Sequence, residues 1–152
     1  MKIGEGLQEK KRLQARLAKC YELSKQCYSY TTKEPDFDFN KLQDEINDLI
    51  TKIKELKIRI QKTNLEVKVK YGEGEHTLQE LIIDIADIRS ILNYLNNLYD
   101  PDDVWRGLRY EEKEVKRQVP PDDIQKLISQ YNKDKNKLDS LLQHTNWTID
   151  LV

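Results

Sequence analysis

The chain of 152 residues contains little glycine or proline and no excess of charge of one sign. It contains only five Gly and four Pro, and its charges are mixed within long apolar-periodic segments, so disorder is expected only at loops. Its 26 basic and 27 acidic residues nearly cancel, so no field of one sign would attract nucleic acid or an anionic membrane over distance. These scarcities favour a folded, mainly helical protein and disfavour a nucleic-acid-binding one.

Long hydrophobic runs are also missing. The start "MKIGEGLQEKKRL" lacks the apolar core of a signal peptide, and the charge-free run "SILNYLNNLY" is far shorter than the roughly 18 residues of a membrane span. We therefore expect a cytoplasmic protein. The two cysteines, Cys20 and Cys27, would lie about 10 Å apart on one helix, too far for a disulfide, and are interpreted as reduced core thiols.

Two stretches keep a strict seven-residue rhythm of apolar side chains, which is typical of helices that pack along a narrow seam. The first consists of Leu42, Ile46, Leu49, Ile53, Leu56, Ile60 and Thr63, and the second of Leu78, Leu81, Ile85, Ile88, Leu92, Leu95 and Tyr99. Further apolar residues widen the stripe: Ile50, Ile58, Ile82, Ile83, Ile91 and Leu98. The wider stripe favours a globular bundle or an oligomer over an isolated coiled coil.

Apolar residues at helical spacing also occupy both ends of the chain, including Tyr21 and Tyr28 in the first segment. The pattern predicts four helices, at about 3–30, 40–64, 77–99 and 121–145. Local start signals precede three of them: Asn40, the box Thr77-x-x-Glu80, and "VPPDD".

Period-two alternation predicts short strands near 65–71 and 147–152, and the charged segment 109–119 suits an edge strand. The fold class is therefore mainly α: a four-helix bundle of long antiparallel hairpins with a small accessory β-sheet. The length suits a single domain over 1–152, which can bury about 70% of the surface of its unfolded chain.

Two stretches echo each other: "LKIRIQKTN", from Leu56, and "LDSLLQHTN", from Leu138, each followed by alternating apolar residues. Four identities in nine positions are within chance for a helical protein. The shared switch of period, however, favours two related helical hairpins, 1–72 and 77–152.

The start "MKIGEGLQEKKRLQARL", the central "LKIRIQKTN", the segment "RYEEKEVKRQV" and the close "LDSLLQHTNWTIDL" together resemble the septicolysin-like family of small, largely uncharacterised bacterial proteins. The resemblance implies no catalytic residues. Through the family's name it implies, at most, a haemolysin-like, pore-forming activity at membranes. The amphipathic helices do not favour that alternative, because their polar faces mix both signs of charge.

The Thr-Asn pairs of the echo are the candidate site. Asn tolerates the left-handed conformation that ends a helix, and Thr can satisfy the last carbonyls, so caps explain both pairs. The functional interpretation is that the junctions meet as a polar pocket or a subunit contact, formed by Thr63, Asn64, Thr145, Asn146 and Trp147.

Other chemistry finds weaker support in the sequence. Glu73, Glu75 and His76 in "GEGEH" offer metal donors, but without paired Cys or His one helical turn apart a solvated turn is the simpler interpretation. No phosphate loop, nucleophile elbow or zinc motif occurs, so we predict no catalytic, cofactor or metal residues and do not favour an enzyme. A basic cluster is spread around the first helix instead of forming one stripe, so we interpret it as solvated surface: Lys10, Lys11, Arg12, Arg16 and Lys19.

The sequence thus predicts a non-enzymatic helical assembly or protein-interaction module. Its partner would be a second copy of the chain, in a homo-oligomer, or another protein. A membrane-active protein is the alternative.

Overall fold

A computed structural model describes residues 1–98 and 116–152. Within these residues four helices occur: α1 (Ile3–Tyr28), α2 (Phe39–Glu66), α3 (Leu78–Leu98) and α4 (Pro121–Thr148). One antiparallel sheet of two strands, β1 (Lys68–Tyr71) and β2 (Gly74–Thr77), lies between α2 and α3. The predicted class, mainly helical with a small sheet, is confirmed.

The seven-residue rhythm marks the buried faces of α2 and α3. All seven seam residues of α2, from Leu42 to Thr63, are buried. In α3, five of the seam residues are buried: Leu78, Leu81, Ile85, Leu92 and Leu95. Ile88 is half-buried, and Tyr99 lies outside the described residues. The seam of each helix therefore lies on its buried face, as a regular heptad pattern predicts.

The sheet is a hairpin with a two-residue turn at Gly72 and Glu73. Gly72 has a φ of 62°, a left-handed conformation that residues with a side chain rarely adopt. A Gly at the first turn position suits the twist of a tight hairpin. The backbone N–H of Leu78 then donates to the carbonyl of Val67 at 3.1 Å, so the hairpin joins the end of α2 directly to the start of α3.

The chain divides into two compact units, of which the first comprises Met1–Leu78 and Gln143–Val152. Here α1 packs antiparallel against α2. The Arg16 guanidinium donates two hydrogen bonds to the Glu45 carboxylate, at 2.6 and 3.0 Å. Nearer the connecting segment, the side-chain amide of Gln43 donates to the Ser24 hydroxyl at 3.2 Å. Ile3, Leu13, Cys20 and Cys27 of α1 are buried, and both cysteines are free thiols.

The second unit, Gln79–Leu142, holds most of α3 and of α4. Its core is formed by Leu92, Leu95 and Ile128, against which four half-buried residues pack: Ile88, Ile91, Ile124 and Tyr131. The helix α4 runs without a break through "NKDKNK" (132–137), where the polar sequence interrupts its seam. The prediction of two related hairpins, 1–72 and 77–152, stays a prediction.

Several predicted boundaries are wrong. No strand spans 147–152, because α4 continues to Thr148 and only Asp150 forms an isolated bridge, with Lys2. The strand near 65–71 begins later, since α2 continues to Glu66. Of the strand predicted at 109–119, residues 109–115 lie outside the described residues and 116–119 form no strand. The N-cap of α2 is Asp38, whose carboxylate accepts from the Lys41 N–H, instead of Asn40.

Candidate functional site

Thr63, the first residue of the candidate site, is completely buried and joins two distant parts of the chain. Its hydroxyl donates to the Arg59 carbonyl at 2.9 Å and accepts from the Val152 N–H at 3.0 Å. The Arg59 guanidinium donates to the Val152 carbonyl at 3.1 Å. The end of α2 therefore holds the segment that follows α4.

The two halves of the echo carry the same hydrogen bond at the same position. The Val67 N–H donates to the Thr63 carbonyl at 2.9 Å, and the Ile149 N–H donates to the Thr145 carbonyl at 3.0 Å. In both cases the donor is the first residue after the helix and the acceptor is the echoed threonine. The repeated Thr is thus the residue whose carbonyl closes the last helical turn.

The carbonyl of the first residue after each helix also plays the same role in both places. The Val67 carbonyl accepts from the N–H of Leu78, the first residue of α3. The Ile149 carbonyl accepts at 3.0 Å from the N–H of Ile3, the first residue of α1. Each echo therefore ends one helix and satisfies an otherwise unpaired N–H at the start of another helix. This shared role explains why the two stretches end alike.

The two asparagines do not end their helices. Asn64 is buried and lies before the end of α2, and Asn146 is half-buried within α4. No residue other than glycine has a positive φ in the described parts of the chain, so neither asparagine adopts the left-handed cap conformation. Their use as a polar pocket or subunit contact stays a prediction.

Trp147 lies against the start of α1, with 51% of its surface exposed. A Cβ built on Gly4 would lie 2.8–2.9 Å from three atoms of the indole ring, so only glycine fits between this backbone and the ring. Two residues further on, Gly6 makes room for the Leu151 side chain in the same way. The glycines of "IGEG" thus form the surface on which the C-terminal segment packs.

A second feature lies at the other end of the α1–α2 pair and was not predicted. Tyr21, Ser24, Lys25, Tyr28 and Phe39 line an open depression of about 470 Å³, which we call the aromatic groove. The rings of Tyr28 and Phe39 are tilted by 55° with centroids 5.8 Å apart, a favourable aromatic geometry. Tyr21 and Tyr28 lie two helical turns apart, about 10 Å, with the buried Ser24 between them.

The segment that connects α1 to α2, residues 29–38, adds further exposed aromatic side chains. Phe37 is 52% exposed and Tyr30 is also exposed. Both phenylalanines of the chain and three of its eight tyrosines fall between positions 21 and 39, and all five are exposed. Exposed apolar patches mark interaction sites more often than isolated exposed residues do, and the aromatic residues that line the groove form such a patch.

Charged side chains beside the α1–α2 contact form ion pairs with one another. Arg16 pairs with Glu45 and Lys52 pairs with Asp48, at 2.6 and 2.7 Å, beside a depression of about 620 Å³. The hydrogen bond from Arg16 lowers the pKa of the Glu45 carboxyl. Burial raises the pKa of the Cys20 thiol, which disfavours the thiolate form that a nucleophile needs.

The described residues contain neither a metal-binding cluster nor a membrane-spanning helix. Within 1–98 and 116–152, no group of three or more His, Cys, Asp or Glu side chains is arranged to hold a metal ion. Glu73 and Glu75 are exposed, and His76 stacks edge-on against Tyr71 with centroids 6.5 Å apart. In this part of the chain no helix is long and apolar enough to cross a membrane.

Residues 9–151 match a family of unknown function (DUF6847). The chain belongs to this family. It is also similar to a solved structure, the crystal structure of a functionally unknown conserved protein from Corynebacterium diphtheriae. The TM-score is 0.85 at 22% sequence identity, over 100% of this chain and 99% of the other, so the likeness shows a shared fold. Among curated proteins, none matches the sequence significantly.

The sequence contained a signal for the aromatic groove that the periodicity concealed. Tyr21 and Tyr28 occur at helical spacing with Leu17 and Cys20, and this spacing alone predicts that they belong to the apolar face of α1. They are seven residues apart, however, and the position midway between them is the small Ser24. Aromatic residues on both sides of a small one, close to "PDFDF", indicate a groove at the end of a helical hairpin.

Proposed function

We propose that this member of the family is a protein-interaction module, which binds its partner through the aromatic groove. The observation that carries the proposal is the exposure of Tyr28, 76% of whose surface is open although the ring packs on Phe39. An aromatic side chain held in place but left in water adds nothing to the core. It supplies apolar area that a partner can bury.

Aromatic side chains are well suited to this role. Tyr and Phe bring large contact area with few rotatable bonds, so little conformational entropy is lost when a partner covers them. The groove is also built on helical residues, since Tyr21 and Tyr28 lie in α1 and Phe39 is the first residue of α2. A rigid backbone preorganises the contact and lowers the cost of binding.

The shape of the groove suits one inserted side chain. Tyr21 and Tyr28 both line it, and the small, buried Ser24 lies between them along α1. Residues that fill such pockets commonly dominate the affinity of an interface, whereas flat contacts around them contribute little. A partner is therefore expected to insert an apolar or aromatic residue between Tyr21 and Tyr28.

The chemistry elsewhere in the first unit supports binding over catalysis. The Cys20 thiol is buried and its pKa is raised, and the carboxylate of Glu45 is held by Arg16. These groups stabilise the contact between α1 and α2. We propose that this partner is bound in the cytoplasm.

Photo-crosslinking tests the proposal directly. A benzoylphenylalanine placed at position 28 should crosslink to one defined peptide of a protein, identified by mass spectrometry after irradiation of cells. The same probe at position 94 is the matched control, because Tyr94 is 60% exposed on α3 and lies outside the groove. Equal yields and identical products at both positions would contradict the proposal.

Membrane activity, which the septicolysin-like resemblance implies, stays the alternative and has its own measurement. Aromatic side chains also favour the interface between water and lipid, so vesicles are a necessary arm of the test. We expect neither flotation with vesicles of neutral and anionic lipid nor release of a trapped dye at micromolar protein. Dye release that is abolished by Tyr28→Ala would replace the protein-binding proposal with the membrane one.

A further inference from the structure

We propose that the aromatic groove binds the connecting segment of a second copy of the chain, residues 34–38, with Phe37 inserted between the two tyrosines. The inference rests on the proposed function and names its partner. It follows from the chemistry of two neighbouring surfaces at the same end of the α1–α2 pair. One surface is the aromatic groove, and the other is the exposed aromatic side chain of Phe37.

The segment has the composition that the groove should select. Phe37 is 52% exposed within the sequence "EPDFD", where Glu34 and Asp36 precede it and Asp38 follows it, and all three acidic residues are exposed. The groove offers an exposed ammonium group, that of Lys25, beside its aromatic walls. An acidic aromatic segment therefore matches an aromatic groove with a basic edge. Pro35 restricts the backbone of the segment and reduces the entropy lost on binding.

The arrangement is complementary to itself. In a dimer with two-fold symmetry, each contact occurs twice, because residue i of one copy meets residue j of the other and the reverse. Each copy presents one groove and one segment, so both grooves would be filled at once. Lys25 of each copy would face Asp36 of the other. The net charge of the chain is only −1, so two copies repel each other weakly.

The charges also distinguish this occupant from a lipid surface. Residues 29–38 contain Lys33 against Glu34, Asp36 and Asp38, a net charge of −2. An anionic membrane would be repelled by the same segment that a second copy attracts through Lys25. The Asp38 carboxylate is already engaged at the start of α2, which leaves Asp36 as the acid nearest Phe37 with no helix-capping role.

A charge-swap experiment tests the pairing of Lys25 with Asp36. Sedimentation velocity of the full chain should show a monomer–dimer equilibrium. Lys25→Glu and Asp36→Lys should each weaken the dimer by about tenfold or more, because each variant places like charges together twice. An equimolar mixture of the two variants should recover dimer, since both contacts then join opposite charges. The double variant Lys25→Glu with Asp36→Lys should recover it as well.

An aromatic pair of variants serves as the control for packing. Phe37→Ala should raise the dissociation constant of the dimer by about tenfold or more, because truncating a side chain that fills a pocket removes much of the binding energy. Tyr94→Ala, which removes an exposed aromatic residue of α3, should leave the equilibrium unchanged. Circular dichroism melting of each variant shows whether it is folded.

The results separate this inference from the proposed function. A chain that stays monomeric at several hundred micromolar, or a dimer indifferent to both charge swaps, would overturn the second copy as the partner. In that case, crosslinks from position 28 to one other protein would leave the proposed function standing. Flotation with vesicles that depends on Tyr28 would overturn both.

Discussion

The contact between Gly4 and Trp147 provides the sharpest test of how the two ends of the chain pack together. In Gly4→Ala, the new methyl group would lie 2.8–2.9 Å from three atoms of the indole ring. These distances are well inside ordinary carbon–carbon contact, about 3.5–4.0 Å. Either the ring or the first turn of α1 must move. The cost of that movement is the quantity to measure.

Two effects of opposite sign determine the result. Overpacking of this kind costs about 1–3 kcal/mol. Replacing glycine by alanine in a helix returns up to about 1 kcal/mol through helix propensity. The sum is a destabilisation of up to about 3 kcal/mol, and for a chain of this length about 1 kcal/mol corresponds to roughly 2–4 °C in melting temperature.

Removing the ring should reverse the sign. In a Trp147→Ala background the clash is absent, so Gly4→Ala should be neutral or should stabilise the protein by up to about 1 kcal/mol. Urea denaturation of the four proteins of this cycle gives the coupling between the two positions, expected at about 1–3 kcal/mol. A coupling below about 0.5 kcal/mol would refute the close approach of Trp147 to Gly4.

Three further predictions concern stability. Thr63→Ala should cost about 1–3 kcal/mol in urea denaturation, because it truncates a completely buried side chain and removes the acceptor of the part-buried Val152 N–H. Thr51→Ala, which removes an exposed hydroxyl bonded only within its helix, should change stability by less than about 0.5 kcal/mol. Because Arg16 lowers the pKa of Glu45, ionised Glu45 stabilises the protein above the carboxyl's ordinary pKa of about 4.3, and this contribution is lost as the pH falls through the lowered folded value. Glu45→Gln should therefore destabilise the protein at pH 7 and much less near pH 3, and an equal effect at both would contradict the ion pair. Gly72→Ala should cost roughly 1–2 kcal/mol in thermal unfolding, since its φ of 62° disfavours a side chain, and an unchanged melting temperature would argue against that turn.

The core of the helices was predictable from the sequence because their apolar period is unambiguous. The seam of α2 alternates spacings of four and three from Leu42 to Thr63, over about six turns, which no strand pattern reproduces. The start of α4 was predictable for a local reason. Pro121 is its first residue and two aspartates follow in the first turn, as "VPPDD" indicates.

The C-terminal segment was mistaken for a strand because its pattern fits two periods at once. Trp147 and Leu151 are four residues apart, which suits a helix as well as a strand, and only Ile149 between them supports the strand. The Ile149 N–H still makes a helical hydrogen bond, to Thr145. Its contact with Ile3, 146 residues away, could not be inferred from local sequence.

The strand β2 and the aromatic groove are not predicted from the sequence, for different reasons. The sequence of β2, Gly-Glu-His-Thr, has no apolar alternation, so the pairing of this strand depends on the turn at Gly72 and on β1. The groove was missed because helical spacing does not say which tyrosines are covered by α2. Tyr21 and Tyr28 share the spacing of the core residues but lie at the edge of the α1–α2 contact.

Hydroxyl-radical footprinting of tyrosine oxidation, followed across a hundredfold range of protein concentration, tests the proposed use of the groove most directly. If the groove binds a second copy, Tyr28 should be oxidised rapidly in dilute protein and should become protected as the sedimentation coefficient rises. Tyr94, which is also exposed, should be oxidised at the same rate throughout. Unchanged oxidation of Tyr28 while the protein associates would contradict the assignment of the groove as the contact surface.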